Sequence, residues 1–288
     1  MKTTRFFTAI AVAAIAFSAI CFNSCKSSSG SALTTDSIVK SYNSDTLAIA
    51  NLKIDYPKDG GSEILDSARA YICNELGKHF IDVDENGKPR KTNATFSGDI
   101  KDGNAVAEFY GNAFKKEISD MRKADTMLPS TIGYVHDVSI KKLCDSETFV
   151  TFLTTDYCFL GGAHGNETVI GATLSKDGGH LISQPVDTNK VKELQPLLRK
   201  GLVKYFSSQD SNINENNLTD FLFIDGNLIP MPATSPYFTA DGIVFTYQQY
   251  EIAPYAAGHP SFTLSYKDVA SYLTKDCLLY TSDAADDT

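Results

Sequence analysis

The sequence predicts an α+β fold, an antiparallel β-sheet with helices packed on one face, arranged as two sequential subdomains. Two stretches of the first half repeat apolar residues at helical spacing, whereas the segments after Tyr134 alternate with a period of two and are separated by turn signals. The 14 Tyr and 17 Phe supply a core, and the absence of Trp argues against a sugar-stacking platform.

Each element follows from local pattern. "IDYP" reads as a strand that turns at Pro57 and Asp59-Gly60-Gly61 into a helix capped by Ser62. Ile64, Leu65, Ala68, Tyr71, Ile72 and Leu76 form that helix's buried stripe, and Cys73 points away from it. A second helix, from about Asn104 to Lys123, buries Val106, Phe109, Tyr110, Phe114, Ile118 and Met121. The stretch between them is a solvated connection; its acids, in "DVDENGKPR", lack the late bidentate Glu of a calcium loop, so no metal is assigned. "YVHDVSIKKLC", "ETFVTFLTTDYCFL", "ETVIGATLS" and "HLISQPV" then read as a strand meander. A third helix spans about Pro196 to Phe206, with Pro196 in its first turn and Leu197, Leu198, Leu202, Val203 and Phe206 buried. A hairpin across "TADG", a strand "SFTLSY" and a short helix "KDVASYL" complete the order.

The ends set the setting. Lys2 and Arg5 precede an apolar run from Phe6 to Phe22 that ends before Cys25, the layout of a secretory signal over residues 1–24. Ser24 before Cys25 and "KSSSGS" after it resemble a bacterial lipobox, so Cys25 is the expected lipid attachment site, with a flexible tether over residues 25–45. Alternatives are an ordinary signal or a retained membrane anchor. Residues 46–166 and 167–276 are the two α+β units, and "CLLYTSDAADDT", residues 277–288, reads as an adapter-derived tail outside the fold. The expected place is the periplasmic face of the cell envelope.

With 26 basic against 35 acidic residues and a net charge of -9, nucleic acid is excluded as a partner, because its binding rests on clustered cations. A cationic partner would be steered in by such a field. Cys73, Cys144 and Cys158 are an odd set, so at least one thiol is free, and a tight turn at Asp145-Ser146 holds Cys144 and Cys158 too far apart to bridge.

Two stretches carry candidate sites. In "FLGGAHGNET", Gly161, Gly162 and Gly165 would allow positive φ and leave His164 exposed beside Asn166. In "YEIAPYAAGHPS", Tyr250, Glu251, Pro254, Tyr255, Gly258 and His259 read as a packed loop whose aromatics make good protein-binding anchors. Glu251, His164 and His259 would serve as acid/base groups if the loops met, but no nucleophile, second carboxylate or metal-ligand spacing accompanies them. No catalytic residue, metal or cofactor is therefore assigned. His79, His136 and His180 lie on different elements and read as ordinary core or surface residues.

"YQQYEIAPYAAGHPSFTLSYKDVASYL", with "GGAHGN" and "IDYPKDGG" upstream, resembles the extracytoplasmic domains of unknown function in RsiV, the lysozyme-sensing anti-sigma factor, and beside the catalytic domain of PdaC-type peptidoglycan deacetylases. The resemblance covers roughly Thr46 to Lys275 and divides the chain into a PdaC-associated-type unit and an RsiV-like unit. It implies a non-enzymatic envelope module binding a wall-related partner, such as a lysozyme-like hydrolase, through the two loops. Sigma-factor sequestration is not implied, since no cytoplasmic segment precedes the apolar run. A peptidoglycan-directed hydrolase and a purely structural lipoprotein are the alternative readings.

Overall fold

The computed structural model describes residues 32–44, 47–80, 95–129 and 131–280. The signal, Cys25 and the end of the adapter-like tail lie outside the described residues.

The first unit is built on a five-stranded sheet of order β1-β2-β3-β4-β5: β1 Thr34–Ser44, β2 Ala48–Asp59, β3 Tyr134–Asp145, β4 Phe149–Phe159 and β5 Asn166–Ser175. β3, β4 and β5 form the expected antiparallel meander. β2 and β3, however, run parallel, Ala48 facing Tyr134 and Ile54 facing Ile140, which makes the sheet mixed. Parallel neighbours need a long crossover, and here it carries α1 (Ser62–Leu76) and α2 (Gly103–Ala124). Both helices cover the face on which Leu52, Ile54, Val138, Ile140, Val150 and Phe152 are buried.

Local chemistry explains most boundaries. Asp102 caps α2 by accepting from the Ala105 amide. Gly61 is the N-cap of α1 and makes no side-chain bond, so the expected cap at Ser62 is corrected: Ser62 is already the first helical residue. Cys73 is also buried, 3.9 Å from the Tyr56 hydroxyl, rather than turned away from the α1 core. The tether expected through residue 45 ends earlier, because Thr34–Ser44 pairs with β2 along its length. Ile38 is buried there under α2, and the ring of Tyr42 lies against Gly111.

The second unit has α3 (Val191–Ser207), β6 (Tyr237–Thr239), β7 (Gly242–Thr246), β8 (Ser261–Leu264) and α4 (Tyr266–Val269), with β6, β7 and β8 forming a three-stranded antiparallel sheet. α3 starts five residues before Pro196, which sits inside the helix and not in its first turn. The absent side chain of Gly201 lets α3 pack on Phe262, whose ring stacks on Phe245 at 5.4 Å. "HLISQPV" is not a strand; it contributes only single bridges, Leu174 with Leu181 and Val186 with Leu273.

The boundary between the units falls after β5, not at residue 166, since β5 closes the first sheet. The join is polar and specific. Thr151 and Thr173, fully buried, bond each other at 2.9 Å and hold the Phe238 carbonyl and amide of β6 at 2.7 and 3.0 Å. The fold also extends into the segment read as tail, for Cys277 and Tyr280 are buried and Tyr280 packs edge-on against Phe238 at 5.9 Å. Among the described residues, Cys73, Cys158 and Cys277 are free thiols.

Candidate functional site

The two candidate loops meet. One is the β4–β5 connection, residues 160–165; the other runs from the end of β7 to β8, residues 247–260. His164 stacks on Tyr255 with ring centroids 3.8 Å apart and planes inclined 19°, and its Nε2 lies 3.3 Å from the Tyr250 hydroxyl. Tyr255 donates to the Gly165 carbonyl at 2.9 Å, while His259 reaches the Glu167 carbonyl at 3.1 Å and its carboxylate at 3.6 Å.

Backbone geometry makes the approach possible. Gly161 has φ +82, and any Cβ there would meet Leu128 at 2.2 Å. Gly162 is likewise left-handed, whereas Gly165 is not; its role is close packing against the Tyr157 ring. On the other loop Gly258 has φ +68 after the short 3-10 turn Tyr255–Ala257, with Pro254 as its N-cap. Tyr250 itself has φ +64, the one left-handed residue other than glycine among the described residues. A tyrosine pays for that conformation in steric strain, and such outliers cluster at functional sites. The residue is 54% exposed, His164 beside it is exposed too, and so is Asn166 at the start of β5.

Sequence reasoning passed over the residues that weld the loops. Gln248 reads β5 as a neighbouring strand would, its Oε1 accepting from the Val169 amide at 2.9 Å and its Nε2 donating to the Val169 carbonyl at 2.8 Å. Gln249 accepts from the Glu167 amide at 3.0 Å. A glutamine pair carries no motif, so only the outward amides of β5 could have announced it. Phe223, also exposed, is tied to this loop by its amide, which donates to the Ile252 carbonyl at 2.7 Å.

Glu251 is not placed for proton transfer. Its two oxygens accept the Ala233 and Gln248 amides at 2.6 and 2.7 Å, so it is the clasp of its own loop. Among the described residues, Glu251, His164 and His259 share no hydrogen bond.

A second histidine cluster, also unforeseen, lies inside the first unit. Asp156 of β4 is 2.7 Å from His79 Nδ1 and 2.9 Å from His136 Nε2. His79 follows α1, and its Nε2 stands 3.4 Å from Glu75 without forming a hydrogen bond; Glu75 in turn pairs with Lys78 at 2.7 Å. Burial works against charge on His79, but the bond to Asp156 and the nearness of Glu75 outweigh it and raise its pKa from 6.5 to about 9. Burial likewise opposes the Asp156 carboxylate, yet the bonds from His136 and His79 hold its pKa at about 2. Neighbouring Cys158 is pushed up to about 12 by burial and by nearby acids. No group of three or more His, Cys, Asp or Glu side chains among the described residues is arranged to hold a metal.

Residues 182–267 match DUF3298, a family described as proteins of unknown function. That segment supplies α3, the second sheet and the Tyr250–His259 loop, while His164 comes from outside it. A DUF3298-family member from Bacteroides fragilis has a similar fold, with a TM-score of 0.63, 17% identity, 89% of this chain covered and 98% of the other. A DUF3298-family protein from Pseudomonas aeruginosa matches with a TM-score of 0.55, 12% identity, 85% of this chain covered and 96% of the other. No curated protein sequence matches the chain.

Proposed function

We propose that the chain is a non-enzymatic binding module of the bacterial cell envelope, held to the membrane by lipid on Cys25 and recognising a wall-related protein such as a lysozyme-like hydrolase. The observation that carries this reading is the meeting of the two loops around Tyr250, an exposed ring held in a strained, left-handed backbone by partners on both units. Rigid aromatic side chains lose little entropy on docking, which makes them efficient anchors. Phe223 adds apolar area beside them, and Glu167 at the foot of the loop gives the face a carboxylate that suits a basic partner. The net charge of -9 favours the encounter. No helix among the described residues is long and apolar enough to cross a membrane, which is compatible with attachment by lipid.

The test is calorimetric titration of the protein with a lysozyme at moderate ionic strength, repeated with Tyr250→Ala and Phe223→Ser. Saturable heat that is lost in both variants supports the reading. Absence of heat at high concentration removes the lysozyme-like partner, and binding untouched by either substitution removes this face.

A further inference from the structure

The two edges of the five-stranded sheet are treated differently. At β5 the amides of Glu167 and Val169 are covered by Gln249 and Gln248, and Leu174 is bridged to Leu181. At β1 the side away from β2 has no strand beside it, and among the described residues no side chain bonds its backbone. β1 is 11 residues long, contains no proline, and departs from regular pairing only between Thr34 and Thr35. Proteins blunt such an edge by short length, proline, bulges or charged side chains; the middle of β1 has no proline or bulge, and its two charges, Asp36 and Lys40, are of opposite sign.

We propose that β1 is a self-association edge, pairing antiparallel with β1 of a second copy of this chain across a two-fold axis at Ile38. Two independent features select a second copy over any other strand. First, Asp36 and Lys40 lie two residues on either side of Ile38 and on its face of the sheet, because side chains alternate with period two. Antiparallel pairing centred on Ile38 sets Asp36 opposite Lys40 of the other copy, and the axis repeats that ion pair, so the strand is complementary in charge to itself. Among the described residues Asp36 pairs with the exposed Lys58, at 3.0 Å. Second, Val39 is 67% exposed at the middle of the strand, on the opposite face. In the same register it stands across from Ser37 of the other copy and diagonal to the other Val39, so the two valines shield each other in part from water. The result would be one continuous ten-stranded sheet with the Tyr250 face free on each subunit.

Sedimentation equilibrium of the full chain over a wide concentration range reads the association directly. A dimer is expected, weakened about tenfold or more by either Asp36→Lys or Lys40→Asp, since each places like charges opposite one another twice. The combined swap Asp36→Lys with Lys40→Asp should restore it. Thermal melts check that each variant folds, and Val39→Lys, which leaves both charges in place, should weaken the dimer as well. A monomer at every concentration overturns the proposal, as does a dimer indifferent to the single reversals or not rescued by the double swap.

Discussion

The molecule holds two histidine clusters that solve the same problem, fixing an imidazole, by opposite means. His79 and His136 sit in the interior and share one carboxylate, with Glu75 and Lys78 extending the charged chain. His164 sits at the surface with His259 part-buried behind it, and the two are held by a stacked phenol, backbone carbonyls and glutamine-welded loops. In a dry site an unpaired ion costs several kcal/mol, so its partners cannot be exchanged. At a wet surface each contact is worth about 1 kcal/mol or less, and the residues remain free to be chosen for what they bind. The comparison teaches that the interior cluster is part of stability and that the surface one is where recognition can reside.

Removing the shared carboxylate breaks the first half of that contrast most directly. Asp156→Ala strands His79 and His136 in a buried site, and we expect a loss of about 3 to 5 kcal/mol of unfolding free energy. Urea denaturation measures it. A loss below about 1 kcal/mol would show that water reaches the cluster and that the two clusters are energetically alike.

Proton linkage sharpens the same point with a smaller effect. The pKa of His79 is raised, from 6.5 to about 9, so its contribution is fully present below pH 6.5 and is lost as pH rises through 9. Asp156 is depressed to about 2, so its share is present above about 4 and is lost as pH falls through 2. These are two readings of one interaction and do not add. Unfolding free energies from urea titrations between pH 5 and 10 should fall by about 2 to 3 kcal/mol beyond neutrality, and His79→Gln should flatten most of that slope. The comparison with His79→Gln is needed because the raised thiols of Cys73 and Cys158 also lose stability at high pH. If wild type and variant share one slope, His79 is not the charged member.

What could be read from the sequence divides along physical lines. α1, α2 and the β3–β5 meander were legible because each buries one periodic face against the core. β1 was not, since an edge strand that buries Ile38 and leaves Ser37, Val39 and Ser41 exposed has the composition of a linker. The parallel pairing of β2 with β3 is set by a crossover of two helices, and no local pattern announces it. The surface loops stood out through their glycines and tyrosines, but their meeting depends on Gln248 and Gln249, which carry no signal. The interior cluster joins His79 to a carboxylate 77 residues away, beyond any spacing rule, and its histidines look ordinary one at a time.

The surface loop should yield more readily than the interior. Glu251→Gln replaces a carboxylate that accepts two amides by an amide with one acceptor, and its NH2 group then faces a backbone N–H. A cost of about 1 to 2 kcal/mol follows from losing one charge-assisted bond. If Glu251 were instead a proton carrier, stability would stay unchanged and only an activity would respond, so a thermal melt separates the two roles.

The smallest effect is the most informative about recognition, because it asks whether Tyr250 is kept for its ring despite its backbone. With φ +64, any residue bearing a Cβ is strained there and glycine is not, so Tyr250→Gly should be more stable than Tyr250→Ala by about 1 kcal/mol in urea denaturation. Both variants lose the ring's contacts with His164 and Tyr255, so the difference between them reports the backbone alone. If glycine also equals or exceeds the wild type in stability, the phenol gives the fold nothing that offsets its strain, and a tyrosine held in that state is explained by binding. A wild type that outlasts glycine by more than about 1 kcal/mol would instead make Tyr250 a packing residue, and the contrast between the two clusters would narrow to one of depth.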